Sequence, residues 1–306
     1  MREEGFSDLH QHVLWGLDDG PKTPEQMRAL LAQNVQNGIS LLFATSHAYP
    51  KTRPFELALY RERLDEANAY CEGQGWSLRV LPGCEIHYCD SVPDLLTAGK
   101  LPALGNSRHV LIEFDHNAAL SQIGEAADSL YRAGFQPVLA HVERYRCLVR
   151  SPRRAMEVRE EYGLIYQMNC ETVLRPAGLW KRRFAEKLLN ARAIDAIATD
   201  AHDTALRPVR MREAYQQLVR QYGKRVFSHS AVMVGDVICS GRTATRLMPS
   251  LVGTRDFPLR SAKPELTSFS MIPARVAGVP SPFFSVSSSK SSFPAVSIAD
   301  RSVSSV

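Results

Sequence analysis

The chain reads as an α/β protein, a distorted seven-stranded parallel (β/α) barrel with a metal site at the carboxyl-terminal mouth. Three observations predict it. Short apolar runs alternate with longer amphipathic stretches along residues 6–222, the pattern of parallel strands joined by helices. Glycines follow several of the amphipathic stretches, where a left-handed residue ends a helix. Above all, histidines and carboxylates stand at or just past the carboxyl end of nearly every apolar run. In a barrel those ends converge on one mouth, whereas an open sheet would spread them too widely for a single site.

Taken in order, the first run (residues 6–9) leads into His10 and His12, and Thr23 before Pro24 caps a helix over 24–37 that Gly38 ends. The second run, 39–46, leads into His47 and is followed by a helix over 56–72; the third, 77–81, leads into Glu85. The fourth, 110–114, carries Glu113 near its end, before a helix over 122–133 closed by Gly134. The fifth, 137–140, runs into His141, before a helix over 153–162 closed by Gly163. The sixth, 164–168, ends at Asn169, which could bond a ligand or substrate or simply serve a turn; a helix over 179–191 follows. The seventh, 194–199, delivers Asp200 and His202, and a last helix over 208–222 is closed by Gly223. Residues 1–240 form this domain. Beyond them the pattern lapses, and residues 281–306 hold eleven serines without amphipathic period, so 241–306 is expected to be a Ser/Pro-rich disordered extension.

The composition excludes several function classes. The net charge of +5 comes from residues 241–306, with eight Lys/Arg against three Asp/Glu, which leaves the first 240 residues formally neutral. No basic stripe with interleaved aromatics marks a nucleic-acid surface. The six cysteines form no C-x-x-C pair and the first residues lack a signal-peptide run, so reduced thiols in a cytoplasmic protein are expected. No apolar segment is long enough to span a bilayer, so no membrane insertion is expected. Homo-oligomerisation is left open.

His10, His12, His47, His141 and His202, with Asp19, Glu85, Glu113 and Asp200, form a ligand set of imidazole and carboxylate without thiolate. Such a set suits Mn²⁺, Fe²⁺ or Zn²⁺, and nine ligands exceed the need of one ion, so two or three adjacent ions are implied. Asp18 competes with Asp19 for its place, since Asp-Asp-Gly is also an ordinary turn. Adjacent ions clamp the oxygens of a phosphate ester during in-line attack, which makes phosphoester hydrolysis the natural chemistry. His87, His109, His116 and His229 fall off the strand-end pattern and read as ordinary histidines.

The order Asp8-Leu9-His10-Gln11-His12, Asp18-Asp19-Gly20-Pro21-Lys22, Thr45-Ser46-His47, Gly83-Cys84-Glu85-Ile86, Leu111-Ile112-Glu113-Phe114, Ala140-His141-Val142-Glu143-Arg144-Tyr145 and Thr199-Asp200-Ala201-His202 resembles the polymerase and histidinol phosphatase (PHP) superfamily. Within it the chain is similar to the CpsB/CapC-type manganese-dependent protein-tyrosine phosphatases of bacterial capsule and exopolysaccharide clusters, over about residues 6–238. The resemblance implies the TIM-like PHP fold and Mn²⁺ as cofactor, with Fe²⁺ or Zn²⁺ as alternatives. It implies that His10, His12, Glu85 and Asp200 hold one ion, that Glu85 bridges to a second held by Glu113 and His141, and that Asp19, His47 and His202 hold a third. Arg144 and Arg207 match positions expected to grip the substrate phosphate. Each also lies within five residues of a candidate ligand, although either could instead pair with a carboxylate. The implied substrate is the phosphotyrosine tail of a membrane-bound bacterial tyrosine autokinase that controls polysaccharide synthesis. The expected reaction is direct attack by an activated hydroxide, without a phosphoenzyme, with His202 or a bound water assisting the leaving group.

Three other readings stand beside this one. Cys147 and Arg153 have the C-x₅-R spacing of thiol-dependent tyrosine phosphatases, but the intervening loop has no glycine and Pro152 removes a donor. A histidinol-phosphate or other small phosphomonoester hydrolase would use the same site. A metal-binding regulatory module without turnover would need fewer ligands than are present.

Overall fold

Parallel strands cannot be joined by tight turns, so each must be separated from the next by a crossover long enough to carry a helix. The computed structural model describes residues 5–105 and 107–223, and in these every hydrogen-bonded pair of strands follows that rule. The strands are β1 (Phe6–Gln11), β2 (Ile39–Ala44), β3 (His47–Ala48), β4 (Arg79–Pro82), β5 (Glu85–His87), β6 (His109–Glu113), β7 (Gln136–Leu139), β8 (Ile165–Asn169) and β9 (Ala196–Ala198). The helices are α1 (Pro24–Gln36), α2 (Leu57–Gly73), α3 (Val92–Thr97), α4 (Leu120–Arg132), α5 (Arg146–Val149), α6 (Pro152–Glu161), α7 (Cys170–Leu174), α8 (Gly178–Asn190) and α9 (Met211–Tyr222). Every strand pairing among the described residues is parallel.

The strands fall into two pieces, ordered β1-β2-β4 and β3-β5-β6-β7-β8-β9. One register runs through both: Ala44 faces Pro82 and, three residues on, His47 faces Glu85. Beyond the second and third predicted strands (39–46 and 77–81), two further short strands, β3 and β5, therefore resume the pairing after a break. Pro82 has no N–H to give the ladder, and Gly83 lets the chain pass where a side chain would press on Leu104 and Thr45. The interruption frees the backbone to turn His47 and Glu85 toward each other.

The sheet curls until its first strand meets the chain just beyond its last. Gln11 bridges Ala201, the Asp200 N–H donates to the His10 carbonyl at 2.8 Å, and the His12 N–H donates to the Ala201 carbonyl at 3.0 Å. Beneath this seam the buried Asp8 carboxylate accepts from the Thr199 hydroxyl at 2.5 Å and from its N–H at 3.1 Å. Burial is the main influence on Asp8 and raises its pKa to about 6 despite those bonds.

Alternate residues of neighbouring strands, including Leu9, Phe43, Leu111, Val138, Ile165 and Ala196, pack in one apolar cluster. The opposite face packs on the helices, with Met27, Leu30 and Leu31 of α1 and Ile123, Ala127 and Leu130 of α4 in the larger cluster. Two cores on two faces of one sheet follow from the period-two alternation of strands.

Several elements differ from the sequence expectation. The 3₁₀ turn Val142–Arg144 and helices α3, α5 and α7 were not expected, because segments this short carry no readable helical period. The last helix begins at Met211 instead of residue 208, and in the loop before it the Val209 N–H donates to the Gln33 side chain of α1 at 2.8 Å. Burial lowers the pKa of His109, at the start of β6, to about 4 and keeps its imidazole neutral. No helix among the described residues is long and apolar enough to cross a membrane. The expected extension over 241–306 lies outside the described residues.

Candidate metal centre

Each strand end delivers its polar residue to one place. Donor atoms group as His12, Asp19, His47 and His202; as His10, His141 and Asp200; as His10, His12 and Glu85; and as His47, Glu85 and Glu113, each group within 4.8 Å. The groups overlap through His10, His12, His47 and Glu85, so all nine expected ligands belong to one continuous cluster. Most are fully buried; Asp19 is the open member, with 58% of its side chain exposed.

Glu85 sits at the centre. Its Oε2 lies 3.3 Å from His10 Nε2, 3.1 Å from His12 Nε2 and 3.1 Å from His47 Nδ1, and its Oε1 lies 2.7 Å from His141 Nε2. His47 joins two groups, turning Nδ1 to Glu85 and Glu113 (3.3 Å) and Nε2 to Asp19 at 3.4 Å. Asp200 Oδ1 lies 3.4 Å from His10 Nε2 and 3.6 Å from His12 Nε2.

The far side of several rings is fixed by a hydrogen bond that selects the tautomer. His10 Nδ1 donates to Gln167 Oε1 at 3.1 Å, His12 Nδ1 to Asp18 Oδ2 at 2.8 Å, and His202 Nδ1 to the Asp200 carbonyl at 3.0 Å. In each case Nε2 is turned toward the cluster, the orientation of metal-ligating histidines. His202 Nε2 is buried without a hydrogen bond although Asp19 Oδ1 is 3.1 Å away, and His47 Nδ1 is likewise unbonded. Short nitrogen-to-oxygen approaches without hydrogen-bond alignment are what atoms aimed at a shared cation show. The donor set and this geometry fit divalent transition ions.

The two aspartates before Gly20 divide the work. Asp18 accepts from His12 Nδ1, from the His47 N–H at 2.9 Å and from the Gly20 N–H at 2.9 Å, so it orients ligands. Asp19 faces the cluster. Gly20 packs on His12, where a Cβ would lie 2.5 Å from the His12 carbonyl, so glycine lets this loop close over the site. His141 and Asp200 hold φ of 32° and 52°, and among the described non-glycine residues only Arg192 shares the left-handed region. Such strain persists where the surroundings over-determine it and clusters at functional sites.

Electrostatics agree with the geometry. Burial opposes charge on Glu85 and Asp200, yet the facing histidines, and for Asp200 also Arg144, hold both carboxyls well below their usual range. Burial likewise opposes protonation of His12, but Asp18 and Glu85 raise its pKa well above normal, and Asp19 and Glu113 raise that of His47 to about 9. Without a cation these carboxylates keep protons on the rings; a divalent ion bound there would release them.

Both expected arginines reach the cluster. Arg144 Nη2 donates to Asp200 Oδ2 at 2.5 Å, while Arg207 Nη2 donates to Asp200 Oδ1 at 2.9 Å with Nη1 3.5 Å from Asp19. Arg207 lies in the loop before α9. Asn169 is a contact of the site, its Nδ2 donating to Asp200 Oδ2 at 2.7 Å. Cys147 is half-buried and burial raises its pKa, the reverse of what a nucleophilic thiolate needs.

Sequence reasoning missed Gln167. Its Oε1 accepts from His10 Nδ1 and from the His141 N–H at 2.7 Å, while its Nε2 donates to Asn169 Oδ1 at 2.8 Å. One amide on β8 thus ties together three expected ligands, His10, His141 and, through Asn169, Asp200. The signal was available: Gln167 and Asn169 share one face of an otherwise apolar strand, and buried polar groups require partners. Gln167→Leu is expected to weaken metal affinity by about 10- to 100-fold. Calorimetric titration of Mn²⁺ into the metal-stripped protein reads this directly, and an unchanged affinity would remove Gln167 from the site.

The family model described as "Capsular polysaccharide synthesis, CpsB/CapC" matches residues 6–234. The tyrosine-protein phosphatase CpsB of Streptococcus pneumoniae is 28% identical over 223 residues, 71% of this chain and 91% of its own length. The tyrosine-protein phosphatase YwqE of Bacillus subtilis strain 168 is 28% identical over 219 residues, 72% of this chain and 86% of its own. Among solved structures, one from work on YwqE from Bacillus subtilis and CpsB from Streptococcus pneumoniae, described as unique metal-dependent tyrosine phosphatases, superposes with a TM-score of 0.71. It is 26% identical and covers 77% of this chain and 95% of that one.

Proposed function

The chain belongs to the CpsB/CapC family, and from that premise we propose that it is a metal-dependent protein-tyrosine phosphatase, a phosphoric monoester hydrolase. The observation that carries the reading is the overlap of four ligand groups around Glu85, with two arginines converging on Asp200 at its edge. The break between β2 and β3 and the seam between Gln11 and Ala201 support a distorted seven-stranded barrel with this cluster at its carboxyl mouth, and the domain is proposed to span residues 1–240.

Mn²⁺ is the cofactor proposed, as two or three ions, with Fe²⁺ and Zn²⁺ as alternatives. His10, His12, Glu85 and Asp200 would hold one; Glu113 and His141, with Glu85 shared, a second; Asp19, His47 and His202 a third. When bound, the ions supply an activated water and positive charge for the phosphoryl oxygens. Arg144 and Arg207 each spend part of a guanidinium fork on Asp200, and their remaining N–H donors suit the phosphate oxygens. The tyrosine leaving group, with a phenolic pKa of about 10, needs only modest proton assistance, which His202 or a bound water would give. The proposed substrate is phosphotyrosine on a bacterial tyrosine autokinase, which places the protein in the cytoplasm as a regulator of capsule or exopolysaccharide synthesis.

The test compares a phosphotyrosine peptide with histidinol phosphate, using protein supplied with Mn²⁺. The peptide is expected to be preferred by at least about tenfold in kcat/KM. Its turnover should be lost in EDTA and return with Mn²⁺. Preference for histidinol phosphate would overturn the substrate, and turnover that survives chelation would overturn the metal.

A further inference from the structure

A cleft of about 450 Å³ opens directly beside the metal cluster, lined by Gly16, Leu17, Asp18, Asp19, Lys22, His47, Tyr49 and Arg53. Its size is that of a ligand site. His47 and Asp19 are at once cluster members and cleft wall, so the cleft adjoins the place where a phosphate would meet the cluster. A second pocket continues from it past Pro54, Phe55 and Tyr60.

The charges on this wall are unevenly spent. Asp18 is consumed by His12, His47 and Gly20, and Asp19 by His47, His202 and Arg207. Lys22 and Arg53, in contrast, make no ion pair among the described residues. Lys22 is held at the wall by a hydrogen bond from Nζ to the Asp18 carbonyl at 2.5 Å. The Arg53 guanidinium lies 5.8 Å from the centre of the Tyr49 ring, which in turn packs 5.1 Å from His47. The segment that carries Arg53, from Tyr49 to Phe55, also holds Lys51 and contains no acidic residue. Exposed cations are ordinarily solvated, but here they rim the passage to a phosphate-binding cluster.

We infer that this cleft is a peptide subsite that reads acidic residues beside the phosphotyrosine, with Tyr49 as an aromatic wall and Lys22 and Arg53 as the charge readers. The inference rests on the phosphatase reading above and adds the sequence context of the substrate. Charge complementarity favours a chain bearing carboxylates over a neutral one, and unpaired rim cations act mainly on encounter and register.

The experiment uses the full chain with Mn²⁺ and two phosphotyrosine peptides that differ only in having Glu or Gln on both sides of the phosphotyrosine. The acidic peptide is expected to show kcat/KM about tenfold higher at low salt, falling toward parity at high salt as the rim charges are screened. Lys22→Glu/Arg53→Glu should bring that ratio to one or below, whereas Arg53→Lys should keep most of it. p-Nitrophenyl phosphate, run on the same preparations, reports the state of the metal cluster. Equal use of the two peptides by the wild-type protein at low salt, or an unaltered ratio in the double variant, would overturn the subsite. Failure to hydrolyse any aryl phosphate would instead overturn the phosphatase reading, and the subsite with it.

Discussion

Glu85→Gln is expected to lower kcat/KM on a phosphotyrosine peptide by at least about 10³-fold, more than the loss of a single transition-state hydrogen-bond donor. The substitution keeps the shape of the side chain and removes its charge. Glu85 is 1% exposed and its two oxygens face four imidazoles within 3.3 Å. A carboxylate there can serve two cations at once. An amide offers one acceptor and places N–H donors against ring nitrogens whose lone pairs should bind metal. Metal analysis after dialysis should show fewer ions per chain, and the rise in unfolding temperature on adding Mn²⁺ should shrink with the weaker affinity. A Glu85→Gln protein that keeps its metal and stays within tenfold of wild-type activity would show that Glu85 does not bridge.

The arginines should separate from the metal ligands in their signature. Arg144→Ala and Arg207→Ala are each expected to lower kcat/KM by about 10²- to 10³-fold while leaving metal content unchanged, because each removes charge-assisted donors from the phosphoryl group. Arg144→Lys should recover only part of that loss, since a point charge cannot reproduce the planar fork. Asp200 retains Asn169 and one arginine in either single variant, so the carboxylate is not left unpaired. Loss of metal in step with activity would mean that these residues only buttress Asp200 and do not meet substrate.

Much of this site was legible in the chain because ligands at strand ends need no tertiary information beyond the parallel β/α pattern. His10, His12, His141 and Asp200 each follow an apolar run that can only be a strand, and the structure brings them together. The choice between Asp18 and Asp19 was not legible, since adjacent residues in a turn are separated only by which way the loop folds over His12. His47 facing two groups was hidden because the break between β2 and β3 depends on Pro82 and Gly83 of the neighbouring strand. Gln167 stayed hidden for a related reason: its polar i, i+2 pairing with Asn169 in an apolar strand calls for partners but does not say which strands supply them. The short helices were lost because four to six residues complete too few turns to show a repeating apolar face.

The seam between Gln11 and Ala201 has a bearing on how the protein is made. Asp8 and Thr199, which lock it from below, are 191 residues apart along the chain, so this contact joins the two ends of the described residues. Loops of that length close late and slowly. Until they do, β1 presents an unpaired edge, a species that nascent chains must survive without sticking to one another. His10 and His12 emerge early in synthesis, yet they meet Asp200 only at this last closure. Closure of the seam is therefore also the step that brings Asp200 to the candidate metal centre.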